Sequence, residues 1–196
     1  HLRMEGSWHL YRPGEPWQRP AHQARVVLTS DDRVAVGFSL GVVELIATTA
    51  ESDVVGHLGP DLLGPDWDSE AAVARLSREP TTPIGVALLD QRNLAGIGNL
   101  YRNELCFLIG AHPSTEVSLV NVSRVVLRAK ALLEANKERA KQCTTGDLRP
   151  GKRTWVYRRA GQPCRRCGSS IASGELGDPA RSIYWCPSCQ PQPTTP

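Results

Sequence analysis

Four cysteines constrain this chain more than anything else in it. They form Cys164-Arg-Arg-Cys167 and Cys186-Pro-Ser-Cys189, two CxxC pairs with 18 residues between them. This spacing fits a tetrahedral site of four thiolates around a structural Zn2+, one per chain. The segment between the pairs carries turn residues at Gly174, Gly177 and Pro179, and then a β-prone Ile183-Tyr184-Trp185. A hairpin of this size cannot bury a core of its own, so the metal would supply its stability. Two disulfides are the alternative. They are disfavoured because CxxC disulfides are strained and nothing marks the chain as secreted. Cys106 lies in an apolar helical stretch and is expected in the core, and Cys143 follows a helix as a free thiol.

A second feature is Leu94-Ala-Gly-Ile-Gly-Asn99, directly ahead of a helical pattern. Gly96 and Gly98 permit positive φ and close backbone approach. Asn99 is placed to cap the following helix or to turn its amide outward. The first N–H groups of that helix are unpaired and lie at the positive end of its dipole, which favours an anion. A tight helix–turn–helix corner explains the same residues without any ligand. No Lys-Ser/Thr follows the glycines and no GxGxxG is present, so this is neither a P-loop nor a dinucleotide fingerprint.

Periodicity orders the rest. Residues 24–30, 31–40 and 41–49 are valine-rich and alternating, with a hairpin turn at Ser30-Asp31-Asp32, and predict antiparallel sheet. Residues 56–68 hold three glycines and two prolines and read as a linker. Asp68-Ser69 should cap a helix running to about Arg78, and Pro83 should open another over 83–90. Leu100, Tyr101, Leu105 and Leu108 then mark a helix stopped by Gly110 and Pro113. The stripe Val122, Val125, Val126, Ala129, Leu132 and Leu133 marks a long one from Val117 to about Lys141. The expected fold is α+β. A partial antiparallel β-sandwich (1–55) is followed by the linker (56–68), a helical domain (69–150), a basic segment with the zinc-ribbon β-hairpin (151–190) and a disordered tail (191–196).

Charge points to a partner. From Lys152 onward there are seven Lys/Arg against two acidic residues, whereas the first 151 residues hold 16 basic and 18 acidic. A basic end on a mildly acidic body is expected of a polyanion binder. Arg181, where the hairpin arm returns, could hold a phosphate bidentately, or be a solvated surface arginine. Met4, the only methionine, could wedge into a base stack, or be ordinary core. No run of 18 apolar residues and no signal peptide is visible, so no membrane partner is expected. His1, His9, His22, His57 and His112 make no metal-ligand pair, no GxSxG elbow occurs, and Glu5, Glu15, Glu44 and Glu104 do not pair by spacing. The residues themselves show binding and metal features but no catalytic set.

Together these pieces resemble one family. DQRNLAGIGNLYRNELCFLIGAHP is similar to the helix–two-turn–helix signature of the Fpg/Nei DNA glycosylases (formamidopyrimidine-DNA glycosylase and endonuclease VIII), and VYRRAGQPCRRCG with RSIYWCPSCQ resembles their zinc finger. HLRMEGSWHL is similar to the late part of their N-terminal domain, and the strands and linker look most like the actinobacterial Nei-type branch. The resemblance implies base-excision repair: binding damaged DNA, everting the oxidised base, and cleaving through a Schiff base. It implies that Gly96, Gly98, Asn99, Arg158 and Arg181 contact DNA and that Met4 fills the gap left by the everted base. Phe38 or Leu40 would assist Met4, because Gly37–Gly41 lacks the arginine that family members often present there. The implied partner is double-stranded DNA with a damaged base or abasic site, with single-stranded DNA a further one. A monomer in the bacterial cytoplasm, associated with the nucleoid, is expected.

The family nucleophile is the amine of an N-terminal proline, followed by a glutamate and assisted by a lysine. Here the first residue is His1 and no lysine precedes Lys130. About 60–80 family residues are expected to be missing, by analogy with usual domain sizes, and the chain as given is expected to be inactive alone. A non-catalytic zinc-containing damaged-DNA-binding protein is the alternative, and a zinc-ribbon protein adaptor finds no support in the glycine corner.

Overall fold

The computed structural model describes residues 5–193; Met4 lies outside them. The chain forms two compact units that divide between Val54 and Val55.

The first unit is a three-stranded antiparallel sheet. Strands β1 (Ser7–Tyr11), β2 (Ala24–Thr29) and β3 (Val34–Phe38) lie in the order β1-β3-β2. The Ser30 amide donates to the Arg33 carbonyl at 2.8 Å and closes the expected hairpin. Tyr11, Val36 and Phe38 form the small core, with Trp17 edge-on to Phe38. The third valine-rich run is not a strand. Ser39 turns the chain out of β3 at φ 50°, and both edges of β3 are already occupied. Residues 41–47 have no regular structure, and Glu51–Val55 forms a short helix, α1.

The second unit is helical and ends in a hairpin. Residues 56–68 run against its body: Gly59 N–H bonds Gln91, Leu62 N–H bonds Ala95, and the Leu62 side chain is fully buried. Helix α2 (Ser69–Leu76) starts where the Asp68 carboxylate accepts the amides of Glu70 and Ala71. Helix α3 is only Ile84–Ala87, shorter than the proline signal predicts, because the Asn93 side chain takes the Ala87 carbonyl. Helix α4 spans Asn99–Ile109 and closes on Gly110 at φ 76°. Helix α5 spans Val122–Glu134, not 117–141. Asn121 caps its start, Val117–Leu119 is a separate 3-10 turn, and the Asn136 amide bridges the Leu132 and Cys143 carbonyls beyond its end.

The predicted apolar stripe of α5 is buried at Val125, Val126, Ala129 and Leu133, against Leu62, Leu76, Ile84, Leu105 and Cys106. Burial pushes the Cys106 thiol up to about 12, as suits an inert core cysteine. Beyond α5 the chain is irregular until strands β4 (Ala172–Leu176) and β5 (Arg181–Trp185) pair antiparallel. Among the described residues no helix is long and apolar enough to cross a membrane.

Candidate nucleic-acid interface and metal centre

The glycine corner is built from within by Gln91. Its side-chain amide donates to the Ile97 carbonyl at 2.9 Å and the Leu89 carbonyl at 3.1 Å, and its oxygen accepts the Gly96 amide at 3.0 Å. Gly96 has φ +105°, so the backbone favours glycine, and a Cβ there would come 2.9 Å from the tip of the Leu133 side chain, which would have to shift. Gly98 differs. It is the N-cap of α4 at φ −104°, and a Cβ would meet nothing within 4 Å. Its outer side is open to an approaching ligand. The first intrahelical bond runs from Arg102 N–H to the Gly98 carbonyl, and no side chain caps the amides ahead of it. Those amides face the open side of the corner at the positive helix end.

Asn99 does not cap α4. Its amide donates to the Ser182 carbonyl in β5 at 3.2 Å. Arg102 donates to the same carbonyl at 2.9 Å and to that of Arg181 at 3.3 Å. Asn103 accepts the Tyr184 amide at 2.7 Å. One face of α4 thereby grips β5, and the hairpin is fixed to the corner. Arg102 is fully buried, with its Nε and Nη1 unpartnered. Burial, and to a lesser degree the nearby Arg181 charge, lower its pKa.

The next residue, Glu104, grips the basic segment. Its fully buried carboxylate accepts the amides of Trp155 at 2.7 Å, Val156 at 2.9 Å and Tyr157 at 2.8 Å, and the Thr144 hydroxyl. Arg181 is exposed and its guanidinium has no partner among the described residues. It lines a cleft of about 340 Å³ with Val86, Asp90, Arg92, Arg102 and Leu176. Asp90 and Arg92 pair at 2.7 Å, and the hydrogen bonds from Arg92 hold the Asp90 carboxyl below its usual range. Arg158 is exposed, at φ 56°, with its guanidinium 5.4 Å from the Tyr157 ring.

The four cysteines converge, their sulfurs all within 4.8 Å of one another. All six cysteines are free, and the Cys167–Cys186 separation of 3.4 Å is far too long for a disulfide, so the bridged alternative falls. The Arg166 amide donates to the Cys164 sulfur at 3.4 Å, and Gly168 turns the knuckle at φ 82°. Four sulfurs so placed suit a metal ion that takes four thiolates.

Asn99 and Arg181 therefore meet where α4 abuts β5, with Gly98 next to Asn99 in the chain, whereas Gly96 lies against Leu133 of α5. Phe38 and Leu40 do not project: both are buried, Phe38 in the sheet core, and cannot enter a base stack. Sequence reading missed Gln91, Arg102, Asn103 and Glu104. The signal was three consecutive polar residues, Arg102-Asn103-Glu104, inside a helix apolar on either side. A helix buried all round leaves such residues to bond inward.

A family model, the formamidopyrimidine-DNA glycosylase H2TH domain, matches residues 58–146. Over 199 residues the chain is 51% identical to a probable endonuclease 8 of Streptomyces coelicolor, covering 98% of this chain and 71% of that protein. The chain belongs to the Fpg/Nei family of DNA glycosylases. A second relative in that family, a DNA-(apurinic or apyrimidinic site) lyase of Mycolicibacterium smegmatis, is 47% identical over 97% of this chain and 73% of its own length. Among solved structures, Lactococcus lactis Fpg in complex with DNA containing an abasic site superimposes with a TM-score of 0.79 at 24% identity, over 98% of this chain and 73% of that one. That likeness establishes the Fpg fold.

Proposed function

We propose that this chain forms the DNA clamp of a base-excision-repair glycosylase with abasic-site lyase activity, acting in the bacterial cytoplasm on nucleoid DNA. The observation that carries the reading is its 51% identity, along almost its whole length, to a probable endonuclease 8. This reading gives each residue a role. The open side of Gly98 and the uncapped amides of α4 receive one backbone phosphate, with the Asn99 side chain beside them. Arg181, unpaired at the mouth of its cleft, takes a phosphate near the everted nucleotide. Met4 fills the gap in the stack. Cys164, Cys167, Cys186 and Cys189 hold one Zn2+, which keeps β4 and β5 folded and Arg181 in place. The family's chemistry is attack of an amine on C1′, departure of the base, and strand cleavage from the resulting Schiff base.

The test is borohydride trapping on duplex DNA with one abasic site, with intact mass read alongside. A covalent adduct is expected from the polypeptide that carries the family amine. Tight binding with no adduct and no nicking would favour the second reading, a non-catalytic damaged-DNA binder. Arg181→Ala should weaken binding and reduce the salt slope by about one phosphate; an unaltered slope would remove Arg181 from the interface.

A further inference from the structure

The far end of α4 borders a second cleft. Helix α4 presents its first amides to the glycine corner. At a rise of about 1.5 Å per residue, its 11 residues carry the chain roughly 16 Å away before Gly110 ends it. There a cleft of about 430 Å³ lies between the loop after α4, the first turn of α5 and the residues that follow the last cysteine. Its walls are fixed. The buried Gln190 side chain donates to the Ala111 carbonyl at 2.8 Å and accepts the Cys186 amide at 3.0 Å, which ties Pro191–Pro193 to one side. The Asn121 side chain accepts the Arg124 amide at 2.9 Å and sets the start of α5 on the other.

His112 belongs to this wall and has an unmet donor. The residue is only 3% exposed. Its Nδ1 accepts the Ser114 amide at 3.1 Å, so the ring proton sits on Nε2. Nε2 is buried and has no partner among the described residues. Trp185, which packs edge-on to the ring at 4.8 Å, offers no lone pair. A buried N–H without an acceptor is rare in a folded chain, and one in the wall of a cleft points to an oxygen from outside.

The rest of the cleft defines that oxygen. Arg124 is exposed at its edge, and its guanidinium has no partner among the described residues. It stands in the first turn of α5, at the positive end of the helix dipole. No carboxylate lines the cleft, so nothing within it neutralises this charge. An N–H donor beside a free guanidinium suits a carboxylate, which accepts from both. The remaining wall selects what the carboxylate is attached to. Ile109, Val120 and Leu119, the last 68% exposed, are apolar. A bare inorganic anion would leave them in water, whereas an apolar chain ending in a carboxylate covers them.

We propose that this cleft binds the C-terminal carboxylate of a partner polypeptide whose last side chains are apolar. The carboxylate accepts from His112 Nε2 and from the Arg124 guanidinium, and the apolar side chains lie on Leu119 and its neighbours. This does not depend on the DNA reading, because the cleft lies at the opposite end of α4 from the glycine corner.

The experiment titrates the full 15N-labelled chain with three probes: acetyl-Ala-Ala-Leu-Leu with a free C-terminus, the same peptide as its C-terminal amide, and acetate. The free-acid peptide should saturate and shift the amides of Ser114, Thr115 and Arg124 together with the His112 Nε2 proton. The amidated peptide should bind about tenfold or more weakly, as should the free acid to Arg124→Gln and to His112→Asn. Arg124→Gln alters an exposed side chain without internal partners and should keep the parent Tm, so it decides the matter if His112→Asn does not fold. No binding of the free acid at about 5 mM would overturn the proposal. So would equal affinity for acid and amide, or unchanged affinity in Arg124→Gln. Acetate binding as tightly as the peptide would also overturn it, since the apolar wall would then contribute nothing. Peptide binding should persist on protein saturated with abasic-site duplex; its loss there would make the cleft part of the DNA interface and withdraw the polypeptide partner.

Discussion

Two glycines two residues apart carry different duties, and substitution separates them. Gly96→Ala forces a side chain into positive φ against Leu133 and should cost about 1–3 kcal/mol of stability, read by chemical denaturation. Gly98→Ala meets no neighbour, so it should cost under about 1 kcal/mol as a poorer N-cap while weakening DNA binding, because the methyl group occupies the phosphate's approach. Equal DNA affinity for Gly98→Ala and the parent would return the corner to a plain turn. His112 makes a second case. It is buried edge-on to Trp185, and burial lowers its pKa from 6.5. The unfolded chain then takes up the proton first, so stability is full above pH 6.5 and falls as pH drops toward the folded value. His112→Asn keeps an acceptor for the Ser114 amide and should flatten Tm between about pH 7.5 and 5.5; an undiminished slope would assign the effect elsewhere. At this scale spacing marked the glycine corner and the four cysteines, while a phosphate role for Arg181 came only as what the resemblance implies. Gln91 and Glu104 stayed hidden because their partners are main-chain amides and carbonyls, which have no letter in a sequence.

Elements were legible where local chemistry decides them. The Asp68 cap, the Gly110 stop and the stripe of α5 follow from side chains within a few residues of where they act. The failures came where tertiary partners decide. The run over 41–49 has strand composition but no edge to join, and α3 is cut short by Asn93 from outside the helix. Helix α4 holds the other elements through consecutive residues, and Glu104 is its most exposed weakness to mutation. Glu104→Ala leaves three amides without an acceptor, that of Val156 buried and those of Trp155 and Tyr157 partly so, and should cost about 3–5 kcal/mol, at roughly 1–3 kcal/mol for each unmet group with partial relief from water. Amide exchange should accelerate at Trp155, Val156 and Tyr157 before it does in α5. Removing the metal acts on a different element. On the proposed Zn2+ reading of the four-cysteine site, chelation should release about one metal ion per chain and abolish amide protection across β4 and β5, while α2 and α5, which make none of the sulfur contacts, keep theirs. Retention of β4–β5 protection after full chelation would show that packing alone holds the hairpin.

At the scale of the molecule, the chain is two compact units with separate cores. Each should melt by itself, so calorimetry should give a calorimetric enthalpy above the van't Hoff value, and chelation should move the transition of the second unit only. A single coincident transition would mean that the units fold together. The glycine- and proline-rich run at 56–68 reads in the sequence as a linker after the sheet, but it packs against the body of the second unit, with Leu62 in its core. The junction of α4 with β5 was not legible, since it joins residues about 80 positions apart. That junction also bears on which substitutions β5 can accept. Asn99 and Arg102 both donate to a main-chain oxygen at residue 182, and any amino acid placed there supplies the same oxygen. A substitution at 182 that keeps β5 extended therefore leaves this link between corner and hairpin intact, and asks for no compensating change at 99 or 102.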